Sequence, residues 1–390
     1  MRKLFVLLVM LAAINANAQW VQMSNWNGSG ISCMASDSNY LFVGTNIDGI
    51  YRSTNNGETF VKNPLNVYTI YSIAVKDNYV FAGTIYGLYL SMDKGINWYL
   101  HSFSSNKIPK IFIQGNYIYT STDSLNVYKV FFSSNNGTNW IKTNLDSQKI
   151  TTFSYDGSYI YASTVDFMVT SRPPIFRSSL GDTSFALISI VDSLGVGARQ
   201  SVGALASLGN YVFAGMRHFQ GYTRSVYRSS NNGLSWLPTI LDEGDTYDLT
   251  TIDNNLVAAT ESGIFISTNY GTNWIIKNQG FGYTYIRIEH LSKNNNYIFA
   301  GDYYTMWRRS LTEIVGIQNI STEIPSSYSL RQNYPNPFNP KTVISFSLPV
   351  VSNATLKVYD VMGREIQTLV NQRLQPGTYE VTFNIESATE

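Results

Sequence analysis

An eight-residue unit recurs along most of the chain, and its spacing constrains the fold more than any other feature. The copies are STNNGETF from Ser53, SMDKGINW from Ser91, SSNNGTNW from Ser133, SSNNGLSW from Ser229, STNYGTNW from Ser267 and a degraded copy, SSLGDTSF, from Ser178. In chain order their first serines lie 38, 42, 45, 51 and 38 residues apart, which is the period of propeller blades. The repeat therefore predicts an array of similar small sheets.

Each unit has the chemistry of a tight turn. Its third residue, Asn or Asp, can accept a hydrogen bond from the backbone two residues on, and its glycine permits a positive φ angle. The closing aromatic residue predicts an anchor buried between sheets. The tryptophans expected in that role are Trp98, Trp140, Trp236 and Trp274. We interpret the unit as structural.

The segments around the turns have the pattern of strands. Seven β-rich segments end in a small residue or close to one: YLFVGT, YVFAGT, YIYTST, YIYAST, YVFAGM, LVAATE and YIFAGD. The last begins at Tyr297 and reaches Ser310 without a following strand, whereas Gln19–Met23 resembles the strand that follows the turn elsewhere. Because ring closure removes exposed sheet edges, we predict an all-β fold, a seven-bladed β-propeller over residues 19–311 closed by the N-terminal strand.

Composition excludes several classes of function. Charged residues make up 14% of the chain and the formal net charge is +1, so we expect neither nucleic-acid binding nor attraction to an anionic membrane. A single cysteine, Cys33, excludes an intramolecular disulfide and reads as a small buried hydrophobe. His101, His218 and His290 stand alone, without the spacing of metal ligands. We expect no metal and no cofactor.

The first 18 residues have the pattern of a secretory signal peptide. A positive segment, Met1–Lys3, precedes an apolar run of about ten residues and a small-residue cleavage pattern at Ala16–Ala18. That run is shorter than the roughly 20 residues needed to span a bilayer. We therefore expect removal of residues 1–18 and no transmembrane segment afterwards.

The repeated pattern, S-x-[DN]-x-G-x-[STN]-[WF], resembles the Asp box, or BNR repeat, of sialidase-like and sortilin-like β-propellers. The resemblance implies that the box is the turn between the third and fourth strands, on the face opposite the usual ligand site. Sialidases bind a carboxylate with three arginines and use a tyrosine nucleophile, a glutamate and an acid/base aspartate. The nearest counterpart here of their F-R-I-P element, Arg172–Phe176, lies mid-chain and is differently ordered. We therefore assign no catalytic residue.

Ligand-binding candidates lie on the opposite face, in the connections from second to third strands. These connections are long in blades 4 and 5, and they combine aromatic and guanidinium groups that suit a sugar or a protein partner. The alternative is that the two loops pack on each other and cover the channel mouth. Together with Asp302, an isolated carboxylate after the last second strand, the candidates are Phe167, Met168, Arg172, Arg217, His218, Phe219, Tyr222 and Arg224.

The sequence changes character after Leu311. We predict a linker over residues 312–327 and a small Ig-like β-sandwich over 328–390. Tyr334–Pro340 reads YPNPFNP and is followed by LKVYDVMGREIQTLVN and LQPGTYEVTFN. This combination resembles the type A C-terminal sorting domain of the type IX secretion system of Gram-negative bacteria. Members of that family continue through one more strand to a basic tail, so we expect an incomplete domain.

These observations favour a monomeric propeller that is secreted or displayed on the cell surface and reaches the surface through the periplasm. Its expected partners are the type IX machinery, through the C-terminal domain, and a glycan or protein ligand on the loop face. The alternative is a sialidase-like, glycan-cleaving enzyme, which a carboxylate pair across the central channel would favour. An assembly role, as in photosystem-assembly propellers with similar repeats, is a third reading, although their basic patch has no evident counterpart here.

Overall fold

The computed structural model describes residues 19–28, 30–65, 67–146, 148–165, 174–188, 200–218, 225–283, 286–311, 314, 317–321, 323–360, 362–374 and 376–384. The predicted signal peptide, residues 1–18, lies outside them. Contacts divide the chain into two units, and one of these is Trp20–Arg309. The other contains Ser310–Glu390.

The first unit is built from four-stranded antiparallel sheets, seven of them in the described residues. In six sheets the strands follow one another in chain order, each pairing with the next. Blades 1 to 3 contain β2 (Ile31–Ser36), β3 (Leu41–Thr45), β4 (Ile50–Ser53), β5 (Val61–Lys62), β6 (Ile70–Lys76), β7 (Tyr79–Thr84), β8 (Gly87–Ser91), β9 (Tyr99–Ser102), β10 (Lys107–Gln114), β11 (Tyr117–Ser124), β12 (Val127–Ser133) and β13 (Ile141–Lys142). Blades 4 to 6 contain β14 (Ile150–Tyr155), β15 (Tyr159–Thr164), β16 (Ile175–Ser179), β17 (Ala186–Leu187), β18 (Gln200–Leu208), β19 (Tyr211–His218), β20 (Val226–Ser229), β21 (Leu237–Pro238), β22 (Thr246–Ile252), β23 (Asn255–Thr260), β24 (Gly263–Ser267) and β25 (Ile275–Ile276).

The seventh sheet takes its strands from both ends of the unit. Its members are β26 (His290–Lys293), β27 (Tyr297–Gly301), β28 (Met306–Ser310) and β1 (Val21–Gln22). Val21 pairs with Arg308 and Gln22 with Trp307, antiparallel. Beside this strand Trp20 is 1% exposed, stacks on Phe281 with ring centroids 5.0 Å apart, and donates its indole N–H to the Lys277 carbonyl at 2.6 Å. The N-terminal segment is thus paired through its backbone and anchored by a buried ring.

The hydrophobic core lies between neighbouring sheets. The second strands β3, β7 and β15 are buried along almost their whole length, because each is sandwiched between the sheets before and after its own. Glycines near the ends of these second strands allow the close approach. A Cβ on Gly44 would lie 2.8 Å from Ile70 Cγ2 of the next blade, and one on Gly83 would lie 2.3 Å from the Ile108 carbonyl oxygen. Any larger residue there would push the first strand of the next blade away.

The second unit contains a four-stranded and a two-stranded sheet. The larger has the order β29 (Ile317–Ser321), β34 (Gly377–Asn384), β31 (Lys341–Leu348) and β30 (Ser329–Leu330), and the smaller pairs β32 (Ser352–Tyr359) with β33 (Glu365–Leu374). Phe346, Tyr379 and Val381 of the larger sheet form one core with Val370 and Leu374 of the smaller, which makes a two-layer sandwich. The interval expected to be a linker, 312–327, therefore contains a strand of this unit, since β29 pairs with β34.

Candidate ligand-binding face

The connections of each blade divide between two faces of the propeller. Strand order places the turns from first to second and from third to fourth strands on one face, which we call the box face. The connections from second to third strands and from one blade to the next lie on the other, which we call the loop face. The box units occupy the third-to-fourth turns, so the two faces have different chemistry.

The Ser side chain and the Asn or Asp side chain of each box turn bond within the turn itself. In the copy that begins at Ser229, the serine hydroxyl oxygen accepts the Gly233 N–H at 2.8 Å and lies 3.0 Å from Asn231 Oδ1, which accepts the Ser235 N–H at 2.9 Å. Equivalent serine-to-glycine bonds of 2.8 to 2.9 Å recur in the other four good copies. The residue before the glycine also has a positive φ in all five, from 55° to 58°, which the sequence reading assigned to the glycine alone. The Ser and the Asn or Asp of the box therefore have a structural role, while other box residues bond neighbouring blades, as Asn56 bonds Asn294 and Lys94 bonds Asp37.

The closing tryptophans are less uniformly buried than expected. Trp236 is 4% exposed and packs with Tyr161 and Ile188 of the preceding blade. Trp98, Trp140 and Trp274 pack against the inter-sheet cores but remain partly exposed. The predicted anchoring between sheets therefore holds for all four, completely for Trp236 and with part of the side chain exposed for Trp98, Trp140 and Trp274.

Most of the predicted ligand-binding residues lie outside the described residues. These are Phe167, Met168, Arg172, Phe219, Tyr222 and Arg224. His218 ends β19, where its backbone is paired opposite Gln200. Arg217 and Asp302 are the two candidates whose side-chain contacts are described.

Arg217 forms one half of a stack on the loop face. Its guanidinium lies over the Tyr247 ring, 4.7 Å from the centroid, and that of Arg287 lies over the same ring at 4.2 Å. Two cations on one tyrosine are held by cation–π attraction, and Glu289 offsets the charge of Arg287 through a 2.9 Å ion pair. Arg217 Nε is buried and has no hydrogen-bond partner among the described residues. This arginine–tyrosine stack joins blades 5, 6 and 7.

The hydroxyl of Tyr247 lies between two carboxylates. It donates to Glu261 Oε1 at 3.2 Å or to Asp245 Oδ2 at 3.4 Å. Burial, followed by the Asp245 charge, raises the pKa of the Tyr247 phenol above its ordinary value, so the group stays protonated at neutral pH. Both carboxylates belong to blade 6. They are therefore not a pair across the channel, the arrangement that would favour a glycosidase.

A cluster of ionisable groups from several blades lines the interior below this stack. Lys110 of blade 3 interacts electrostatically with Asp248 of blade 6, Cys33 of blade 1 and Arg217. Burial raises the pKa of Asp248 to about 6, although it accepts the Leu291 N–H, and lowers that of His290 to about 4. Burial also raises the pKa of the Cys33 thiol to about 11, consistent with a packed rather than reactive cysteine. Sequence reasoning missed this cluster because its members come from separate blades. The available signal was that Cys33, Lys110, Asp248 and His290 all lie in first strands, whereas Arg217 lies in a second strand.

The Asp302 carboxylate forms hydrogen bonds within its own turn. Its Oδ1 accepts the backbone N–H groups of Tyr304 at 2.6 Å and Thr305 at 2.5 Å. A carboxylate that bonds two backbone donors in this way shapes a loop. Its role is therefore to hold the two tyrosines that follow it at the loop face.

Neither a metal-binding cluster nor a membrane-spanning helix occurs within the described ranges. No set of three or more His, Cys, Asp and Glu side chains there is arranged to hold a metal ion. No helix in that part of the chain has the length and apolar character to cross a membrane.

Comparisons with known proteins identify the C-terminal region and the fold of the remainder. Residues 332–390 match the family model described as "Secretion system C-terminal sorting domain", which confirms the predicted sorting domain. No curated protein matches the chain.

Similar solved structures include YCF48 bound to D1 peptide, with a TM-score of 0.55, 14% identity, and coverage of 77% of this chain and 99% of that one. The GH74 xyloglucanase from Xanthomonas campestris has a TM-score of 0.56 and 16% identity over 67% of this chain and 50% of that one. The extracellular domain of a proposed one-component system from B. thetaiotaomicron has a TM-score of 0.58 and 15% identity over 86% of this chain and 45% of that one. The chain thus spans about half the length of the latter two, and at these identities the likeness shows the fold alone. The protein is therefore an all-β propeller with a secretion sorting domain that directs it to the cell surface or the extracellular space.

Proposed function

We propose that the propeller is a non-catalytic binding domain that recognises a glycan or protein through its loop face after type IX export. The contrast between the two faces carries the proposal. The Ser and Asn or Asp side chains of the box turns bond within each turn, whereas Arg217, Tyr247 and Arg287 bring guanidinium and phenol groups of blades 5, 6 and 7 together on the loop face. Convergent groups of this kind, supplied by loops on a rigid scaffold, are typical of binding sites.

The proposal extends to the family of the propeller and to its cellular setting. We assign the propeller to the Asp-box group with seven blades, supported by five turns with the same serine-to-glycine bond. We further propose a Gram-negative source and a cleaved signal at residues 1–18, supported by the sorting domain at the other end of the chain. Residues 19–309 would form the binding domain and the remainder the export address.

The experiment is a binding screen of the chain from residue 19 to 390 against glycan and peptide arrays, followed by two variants. Arg217→Ala combined with Arg287→Ala removes both cations over Tyr247, and we expect at least a tenfold loss of affinity, typical of an interface anchor. Leu234→Ala is the matched control, since Leu234 is 66% exposed on a box turn. Equal affinity of the double variant and the control for every ligand found would refute the arginine–tyrosine stack as part of the site.

The glycan-cleaving alternative has one observation in its favour. Asp245 and Glu261 both lie within hydrogen-bond distance of one hydroxyl, so two carboxylates are close together, as glycosidases require, although both come from one blade. The raised pKa of Tyr247 argues against a tyrosine nucleophile there. Release of reducing sugar from a bound glycan by the unmodified chain, abolished in Glu261→Gln, would establish the alternative instead.

A further inference from the structure

Four tyrosines are exposed on loop-face connections of consecutive blades. Tyr303 and Tyr304 lie in the second-to-third connection of blade 7, Tyr86 lies in that of blade 2, and Tyr68 lies in the connection leading into blade 2. In the order Tyr303, Tyr304, Tyr68 and Tyr86 their exposed fractions are 41, 73, 66 and 57%. We call these four residues the tyrosine arc. Ile47, 67% exposed, occupies the equivalent connection of blade 1 between them.

Backbone hydrogen bonds fix the order of the arc around the rim. The Tyr303 carbonyl accepts the Ile31 N–H at 2.9 Å, which ties blade 7 to the start of blade 1. The Gly30 carbonyl then accepts the Asn46 N–H at 2.8 Å, and the Tyr68 carbonyl accepts the Gly49 N–H at 2.8 Å. Each connection is thus bonded to its neighbour, so the arc follows the rim from blade 7 to blade 2.

Three local features position the tyrosines of the arc. A Cβ on Gly30 would lie 3.0 Å from the Tyr303 hydroxyl, so the glycine leaves the space that this ring occupies. Tyr68 and Tyr86 each lie two residues beyond the paired residues Ile70 and Thr84, on adjacent chains of the same hairpin. Tyr304 meets Tyr303 edge to face at 4.8 Å.

Carboxylates along the arc already have partners. Asp48 accepts hydrogen bonds from Lys62 Nζ and the Tyr51 hydroxyl, and Asp302 accepts two backbone N–H groups. The arc therefore presents aromatic faces and hydroxyls with its carboxylates neutralised or bonded. The arginine–tyrosine stack, by contrast, carries two guanidinium groups on one ring.

We propose that the tyrosine arc binds an extended neutral polysaccharide, a substrate class that deepens, and rests on, the proposed loop-face binding function. The apolar C–H faces of neutral sugar rings pack against aromatic faces, while phenolic hydroxyls bond the hydroxyls at the ring edge. Tyrosine supplies this contact at low cost in side-chain entropy. A row of rings crossing three blades suits several consecutive sugar units of a chain better than one compact ligand.

The test measures affinity of the chain from residue 19 to 390 for soluble neutral β-glucan and mannan, with polygalacturonate as the charged comparison. We expect binding to a neutral polymer and at least tenfold weaker binding to polygalacturonate. Tyr68→Ala and Tyr86→Ala should each weaken neutral-polymer binding about tenfold, as loss of an interface aromatic does. Tyr68→Phe, which keeps the ring, should remain within about threefold of the parent. Tyr99→Ala is the control, because Tyr99 is 40% exposed on the outermost strand of blade 2.

The outcomes separate this proposal from the broader one. Neutral-polymer binding that survives both Tyr68→Ala and Tyr86→Ala but is lost in the Arg217→Ala, Arg287→Ala variant overturns the arc and leaves loop-face binding standing. A protein ligand that requires the arc, with no polysaccharide bound, overturns the ligand class. Failure of the folded chain to bind any arrayed glycan or peptide overturns both proposals. Unchanged thermal unfolding of the variants shows that the substitutions have left the fold intact.

Discussion

The serine hydroxyl of a box turn satisfies a buried backbone N–H group. In each good copy it accepts the N–H of the glycine four residues on, at a site that water does not reach. A buried N–H that loses its acceptor has no replacement partner. The repeated sequence therefore reflects a repeated requirement of the backbone.

The substitution Ser229→Ala should lower the free energy of unfolding by about 1 to 3 kcal/mol, because it leaves the Gly233 N–H buried without an acceptor. Ser235→Ala should cost less than about 0.5 kcal/mol, since Ser235 is exposed and bonds only the Asn231 side-chain amide through its hydroxyl. Denaturant unfolding of the two variants checks the difference. Equal destabilisation would contradict the role given to the box serine.

Two groups in the interior cluster should have opposite effects on stability as pH changes. The pKa of Asp248 is raised from 3.8 to about 6, so the folded chain binds this proton more tightly and gains stability as pH falls from about 6. The pKa of His290 is lowered from 6.5 to about 4, so the unfolded chain binds that proton first. Stability from His290 is then lost as pH falls from about 6.5 to about 4. The two contributions oppose each other over nearly the same range.

Replacing either Asp248 or His290 should expose the pH-dependent contribution to stability that the other residue makes. Asp248→Asn should lose stability more steeply than the parent as pH falls from about 6.5 to about 4, and His290→Gln should lose it less steeply or gain it. Lys110, Arg217 and Cys33, the other ionisable groups of the cluster, are unchanged in both variants. Asp242→Asn, at an exposed carboxylate, is the control. Its curve of stability against pH should run parallel to that of the parent. Parallel curves for all three variants would refute the opposing pair.

Contacts between residues that are close in the sequence could be predicted, whereas contacts between distant residues could not. The box turn was readable because Ser, Asn or Asp, Gly and the aromatic residue contact one another within eight positions. Asp248 and Lys110 meet only after several sheets have been arranged in space. Lone residues of this kind carry no short-range signal, and the same is true of the Arg217–Tyr247–Arg287 stack.

At the scale of elements, the most consequential strand is one of the two-residue strands, β1. β1 has two residues, both with exposed side chains, so its pairing alone would hold it weakly. Trp20 supplies the remaining binding energy by burying its ring against Phe281 and bonding the Lys277 carbonyl. The strand is therefore fixed by the residue that precedes it.

Trp20→Ala should destabilise the propeller by about 3 to 5 kcal/mol, the usual effect of emptying a buried aromatic site. Deletion of residues 19–24 should go further and cause aggregation, because it exposes the edge of β28. Gln22→Ala, at an exposed position of the same strand, is the control and should be close to neutral. A deletion variant that melts and remains soluble like the parent would show that β1 does not stabilise the ring.

Strand order was easier to predict than strand membership at the domain boundary. The all-β class and the propeller followed from spacing and from alternating segments, and the structure confirms both. Ile317–Ser321 has no turn signal in its sequence, which therefore predicts part of a linker there. It forms a strand because β34 offers it an edge, a reason that lies more than fifty residues away in the sequence.

At the scale of the whole molecule, the chain combines a propeller with a sorting domain that folds around its own core. Removing residues 312–390 should leave propeller unfolding and loop-face binding unchanged while abolishing surface delivery. A cut at 328 would be less clean, because it would leave β29 without its partner β34. Protease accessibility on intact cells measures delivery. Loss of ligand binding in the truncated chain would refute a purely addressing role.

Ring closure through the first strand also sets the order of folding. The bond from Trp20 to Lys277 joins residues 257 positions apart, so the last blade cannot be completed until nearly the entire propeller has been synthesised. At about 5 to 20 residues per second, the N-terminal strand waits on the order of ten seconds or longer for its partner. Contacts of such large sequence separation also form slowly. During that interval the N-terminal strand lacks its partner β28, and an unpaired strand is prone to pair with other chains.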